Sequence, residues 1–146
     1  MTQLSTFTVG HYLFGVDVSL VQEIMRVQSI TPVPLTRPEI AGLINLRGEV
    51  LTAINVRNRL GLPPTTSDRD PINVVVRVDD EPVSLLVDEI GGVIEVSQVS
   101  FEATPATVDP RVRPLLMGAY TLPEQLLLKL DIRKLLQLSD FQATAA

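Results

Sequence analysis

The stretch Gly42-Leu43-Ile44-Asn45-Leu46-Arg47-Gly48-Glu49-Val50-Leu51-Thr52-Ala53-Ile54-Asn55-Val56 decides the fold. Two arms rich in Val, Ile and Leu, Leu43 to Arg47 and Glu49 to Val56, flank Gly48. Glycine takes positive φ without steric cost, so the segment reads as a β-hairpin pivoting on that residue. The hairpin is apolar on both faces, with Val50, Ile54 and Val56 on one side and Leu51 and Ala53 on the other. A strand covered on both sides must be wrapped into a barrel or pressed against a second sheet.

The same texture continues in both directions. Upstream, Phe7 to Val9 and Tyr12 to Val18 read as strands around Gly10-His11. Downstream, Ile72, Val74, Val76 and Val78 alternate with Asn73, Val75, Arg77 and Asp79, a period of two. The turn Asp79-Asp80-Glu81-Pro82 leads into Val83 to Asp88. Gly91-Gly92 is expected to break that strand before Val93 to Val96, and a last hairpin joins Leu115–Thr121 to Leu126–Leu130. About nine or ten short strands exceed the needs of one small barrel, which predicts two barrels packed together in an all-β fold.

Helical signals are short. Ser19 with Gln22 forms a capping box, with Leu20, Val21, Ile24 and Met25 on one side and Gln22, Glu23 and Arg26 on the other, which predicts a helix there. Asp131 is placed to cap a C-terminal helix, Ile132 to Gln137, and a further helical turn is expected over Asn55 to Arg59, stopped by Gly61 and Pro63. Pro63–Asp70 and Glu102–Arg113 have loop composition. The chain is therefore expected to form a single domain over 1–146. Its sub-barrels are expected near 15–70 and 71–138, with the N-terminal strands able to cross over.

Composition limits the function. The 146 residues are 45% hydrophobic and 20% charged, enough apolar side chain for a core, and the formal net charge is −5. A general nucleic-acid binder needs a positive surface to displace counterions, so no nucleic-acid partner is expected. There are no cysteines, which removes disulfides, thiolate catalysis and most structural zinc sites, and fits a reducing cytosol. No N-terminal secretory pattern is visible, and no apolar run approaches the roughly 20 residues that span a bilayer. The expectation is a soluble protein that meets membranes only indirectly, through a partner.

The search for catalytic chemistry is poor. His11 is the single histidine, so imidazoles cannot cluster around a metal, and its neighbours Gly10 and Tyr12 put it in an exposed turn. The carboxylates Asp79-Asp80-Glu81, Asp88-Glu89 and Glu95 lack the alternating spacing of a calcium loop. Aromatics are only 4%, too few to suggest a sugar platform beside a carboxylate pair, and Gly91-Gly92 is not a phosphate loop. No enzyme activity, metal or cofactor is expected.

Four segments in register carry a resemblance: Val21-Gln22-Glu23-Ile24, Asn45-Leu46-Arg47-Gly48, Leu86-Val87-Asp88-Glu89-Ile90 and Leu130-Asp131-Ile132-Arg133-Lys134-Leu135-Leu136. With a Pro-containing loop (Pro32, Pro34, Pro38) between the first two, they resemble the CheW family of chemotaxis coupling proteins over about Thr6 to Leu138. The resemblance implies two SH3-like five-stranded β-barrels sharing a hydrophobic seam, with no cofactor and no catalytic activity. It implies a cytoplasmic adaptor, recruited to membrane receptor arrays, that joins chemoreceptor cytoplasmic tips to the regulatory domain of the histidine kinase CheA. By position, Glu23 and Arg47 resemble the family's charged pair at the receptor-facing surface, with Val21 beside them and Asn45 and Gly48 supporting the motif.

The residues agree in part. On the helix expected above, Glu23 lies on the polar side, and Arg47 ends a strand at a hairpin tip, so both reach solvent and can form a bidentate pair. Such a pair contributes little to folding and is better suited to orienting a partner. There are departures from the family pattern: Asn55 stands where an acid is common, and Ile132-Arg133-Lys134 is more basic than expected. A paralogous coupling protein of type IV pilus or other chemosensory signalling fits the same motifs, and a small β-barrel hydrolase using the carboxylates is the rival from another class.

Overall fold

The structure, a computed structural model, describes residues 2–26, 29–34, 37–64 and 70–137. Eleven strands run along it: β1 (Gln3–Val9), β2 (Tyr12–Asp17), β3 (Val21–Arg26), β4 (Ile40–Leu46), β5 (Glu49–Asn55), β6 (Ile72–Val78), β7 (Glu81–Val87), β8 (Glu89–Glu95), β9 (Phe101–Glu102), β10 (Leu116–Thr121) and β11 (Leu126–Leu130). Two single-turn helices, α1 (Val56–Arg59) and α2 (Ile132–Leu135), follow β5 and β11. The strands form two sheets, one of six in the order β8-β1-β2-β11-β10-β9 and one of five in the order β3-β6-β7-β5-β4.

Each sheet curls around its own small core as an SH3-like barrel. Ile44, Leu51, Ala53, Val75 and Leu86 fill the five-stranded one, and Leu4, Leu13, Val96, Tyr120 and Leu127 the other. The largest apolar cluster lies between them. Phe7, Phe14 and Val16 of one sheet meet Ile54, Val74, Val76 and Leu85 of the other, and Ile132 and Leu135 of α2 close one end. β6 is therefore buried on both faces. Its alternation holds, but Asn73 on the inner face is also fully buried, and its amide donates to Ser84 Oγ at 2.7 Å.

The hairpin that opened the sequence argument forms as expected. β4 and β5 pair antiparallel around Arg47 (φ 53) and Gly48 (φ 86), a two-residue turn with both φ positive whose twist matches that of the strands. Asn45 Oδ1 accepts from the Gly48 N–H at 3.0 Å, satisfying the turn locally. The expected helical turns at α1 and α2 are present. Asn55 Oδ1 accepts from Asn58 N at 3.0 Å, and Asp131 Oδ1 accepts from Lys134 N at 3.1 Å.

Several expectations need correction. The segment after Ser19 is not a helix: Val18–Leu20 make one 3-10 turn, capped by Asp17 rather than Ser19, and Val21–Arg26 is the strand β3. Burial along it alternates, with Val21, Glu23 and Met25 half-buried and Gln22, Ile24 and Arg26 exposed. A helix this short is marginal alone, whereas a strand gains the backbone ladder of β6. Gly91-Gly92 does not break a strand but lies inside β8, where the register with β1 shifts between Thr6 and Phe7 and Thr6 Oγ1 donates to the Gly92 carbonyl at 2.8 Å. One sheet has six strands rather than five, because the two residues of β9 add an edge to β10.

A division near residue 70 does not follow the sheets. β6 and β7 lie beyond it yet belong with β3, β4 and β5, while β1 and β2 sit among β8 to β11. The polar stretch 102–113 is more than a surface loop, since Val108 and Val112 enter the central core and the Tyr12 hydroxyl accepts from Asp109 N at 3.1 Å.

Candidate partner-binding face

β3 and β4 are the opposite edges of the five-stranded sheet, and the barrel closes where they approach each other. The chain beyond β3 returns to β4 through a bridge in which Thr31 and Leu43 exchange backbone hydrogen bonds at 2.8 and 2.9 Å. Glu23 on β3 and Arg47 in the β4–β5 turn complete the closure. Arg47 Nη1 donates to Glu23 Oε2 at 2.7 Å and Nη2 to Oε1, a bidentate fork. Arg47 keeps 70% of its side-chain surface exposed and Glu23 keeps 25%, so the pair is a surface feature with an open cationic side. The guanidinium's hydrogen bonds hold the Glu23 carboxyl below its ordinary value, and the carboxylate raises Arg47 in turn.

Of the residues singled out in the sequence, Glu23, Arg47, Asn45 and Gly48 come together here. Val21 is less exposed and packs against the central core from its half-buried position at the start of β3.

Sequence reasoning missed the neighbours of the pair. Arg77 on β6 donates from Nε to Gln22 Oε1 and from Nη1 to the Asp80 carbonyl, each at 2.8 Å, and its Nη2 stands 3.8 Å from Glu49 Oε1. It thereby ties β3, the β4–β5 hairpin and the β6–β7 turn into one rim. The signal was present, since Arg77 is the only charged residue in the apolar run 72–78. Ile24 and Val50 are large apolar side chains exposed on β3 and β5, at 42% and 61%.

Three of the carboxylates considered for hydrolysis are held apart in separate contacts. Arg133 donates to both oxygens of Asp79 at 2.7 and 3.0 Å, Asp88 pairs with Arg57, and Glu95 Oε1 accepts from Ser97 N at 2.8 Å. Among the described residues no three of His, Cys, Asp or Glu converge on a point that could take a metal ion, and no helix is long and apolar enough to cross a membrane.

Comparison with known proteins fits this architecture. Residues 3–140 match the family model of the CheW-like domain. The chemotaxis protein CheW of Treponema pallidum is 31% identical over 98% of this chain and 86% of its own length. That of Thermotoga maritima is 27% identical, over 92% and 87%. The crystal structure of the scaffolding protein TtCheW from Thermoanaerobacter tengcongensis superposes with a TM-score of 0.83 at 25% identity, covering 95% of this chain and 94% of that one. Barrels, seam and motifs thus extend over nearly the same span as the family match, and the chain belongs to the CheW-like family.

Proposed function

We propose that this protein is a non-enzymatic coupling adaptor that links the cytoplasmic tips of chemoreceptors to the histidine kinase CheA in signalling arrays. The observation that carries the proposal is the family match over 3–140, in a chain where Asp79, Asp88 and Glu95 are held in separate structural contacts. The protein works as one unit, because the first two strands are embedded among the last four. It acts in the cytoplasm and reaches the membrane through the receptors. Glu23 and Arg47 are the receptor-facing charged pair, with Val21 beside them. The exposed Ile24 and Val50 supply apolar contact while the charges set register.

Pull-down of receptor-tip and kinase fragments tests this. Arg47→Glu places two carboxylates together at the barrel edge. It is expected to weaken receptor capture by about tenfold, a loss of roughly 1.4 kcal/mol, and to leave kinase capture nearly unchanged. Adding Glu23→Arg in the same chain restores the pair in reverse and separates loss of fold from loss of recognition. Unchanged capture of both partners by folded Arg47→Glu protein removes these residues from the site. Failure of the wild-type chain to capture either fragment refutes the adaptor role itself.

A further inference from the structure

Asp88 is the single residue between β7 and β8, where the chain passes from the five-stranded sheet to the six-stranded one. Its Oδ2 accepts from both sides of that passage. One donor is Arg57 Nη2, on the helix α1 that continues β5; the other is the backbone N–H of Gly10 in the β1–β2 turn, at 2.8 Å. Arg57 Nη1 also donates to the Pro63 carbonyl at 2.8 Å, and Asp88 N donates to the Thr8 carbonyl at 2.9 Å. The Arg57 side chain is only 15% exposed and that of Asp88 33%.

Two residues further along the same helix, Arg59 donates from Nε to the Leu135 carbonyl at 2.7 Å and from Nη2 to the Lys134 carbonyl at 2.9 Å. Those carbonyls end α2, which follows β11 of the six-stranded sheet, and that of Lys134 also accepts from Gln137 N at 3.1 Å. α1 therefore holds the end of α2 through Arg59 and the β7–β8 passage through Arg57. A cleft of about 500 Å³, lined by Thr8, Asn55, Asp70, Leu86 and Glu89, opens beside the Asp88 contact.

The apolar core between the barrels holds them together and limits their angle by packing, while hydrophobic attraction itself follows area rather than direction. Charge-assisted hydrogen bonds have direction, and removing one partner of a half-buried pair leaves the other uncompensated. We propose that Arg57 and Asp88, supported by Arg59, are positioning residues that fix the angle between the two barrels and so between the adaptor's partner-binding faces. The functional consequence rests on the adaptor reading. The angle itself is a property of the isolated protein.

The absence of cysteine makes the test direct. Cysteines introduced at Glu81 in β7 and at Glu124 beyond β10, both exposed, carry spin labels on opposite barrels. With the Arg57–Asp88 pair intact, pulsed electron resonance is expected to give one narrow distance distribution. Arg57→Gln and Asp88→Asn should each broaden it or add a second distance, with Arg57→Lys in between. Amide exchange in β6 and β11 should stay slow throughout, showing that both barrels remain folded. An unchanged distribution in both variants overturns the proposal. So does loss of protection in both barrels in each variant, which would make the pair a support of folding rather than of angle. A wild-type chain that binds neither receptor nor kinase fragment refutes the adaptor reading and leaves the distance result standing.

Discussion

Asp109 shows how a single side chain records its contacts. Arg111 donates to it from its backbone N–H at 2.8 Å, from Nε at 3.1 Å and from Nη2 at 2.8 Å. Those hydrogen bonds, the guanidinium's above all, hold the Asp109 carboxyl at about 2, below its ordinary 3.8. A group whose folded value is depressed stabilises the fold above its unfolded value and loses that contribution as pH falls through the folded one. Glu23 and Asp79 are lowered in the same direction by Arg47 and Arg133. Urea midpoints are therefore expected to be flat above about pH 4.5 and to fall toward pH 2, and the Asp109→Asn chain should show a shallower acid limb. Parallel acid limbs would assign the loss to other carboxylates. At Asp131 the same scale predicts a capping effect: Asp131→Ala removes the bond from Lys134 N and should cost about 1 kcal/mol in a denaturation curve. The Asp131 cap was legible in the sequence, because a cap acts on a backbone three positions away, whereas the Asp109–Arg111 contact sits in a stretch that reads only as loop. The Asp88 contact to Gly10 was not legible either, since nothing local ties residues 78 positions apart.

Among elements, β3 is where local pattern and tertiary pairing disagree. Val21, Ile24 and Met25 have helical spacing behind a Ser19–Gln22 box, yet their burial alternates because the β6 backbone lies alongside. The hairpin of β4 and β5 was legible for the opposite reason, as its turn chemistry and its pairing point the same way. Two of its glycines do different work, and substitution separates them. At Gly48 an added Cβ meets nothing within 4 Å, so Gly48→Ala should cost only the left-handed backbone penalty, roughly 1–2 kcal/mol. At Gly42 (φ 148) the added Cβ falls on the Thr31 carbonyl oxygen, with an Ile30 methyl carbon at 2.8 Å. Gly42→Ala should therefore destabilise by more than about 2 kcal/mol, combining strain and overpacking where the barrel closes. Thermal unfolding of the two variants side by side checks this, and an equal loss in both would contradict it.

Across the whole molecule, the two-barrel plan was legible in the count of short strands, but the assignment of strands to sheets was not. β2 pairs in parallel with β11, and β5 in parallel with β7, so neighbours in space are set by contacts that sequence order hides. The central core makes the barrels interdependent. Phe14 is fully buried there, and Phe14→Ala is expected to cost about 3–5 kcal/mol. Both barrels should lose structure in one transition, seen as coincident fluorescence and circular dichroism curves. Separate transitions would show that the core between them is not shared in energy.

The strand order also dictates a sequence of events during synthesis. The five-stranded sheet uses an unbroken span from β3 to β7, whereas the six-stranded one needs β1 and β2 together with β8 to β11. While the ribosome is still making the second half, the first barrel can assemble, and the hairpin of β1 and β2 must wait with both outer edges open for β8 and β11. Pairing at such long separation closes large loops and is slow, which exposes an apolar N-terminal ribbon to misassembly until translation ends. Pulse-labelled amides should accordingly become protected in β6 and β7 before those in β1 and β2.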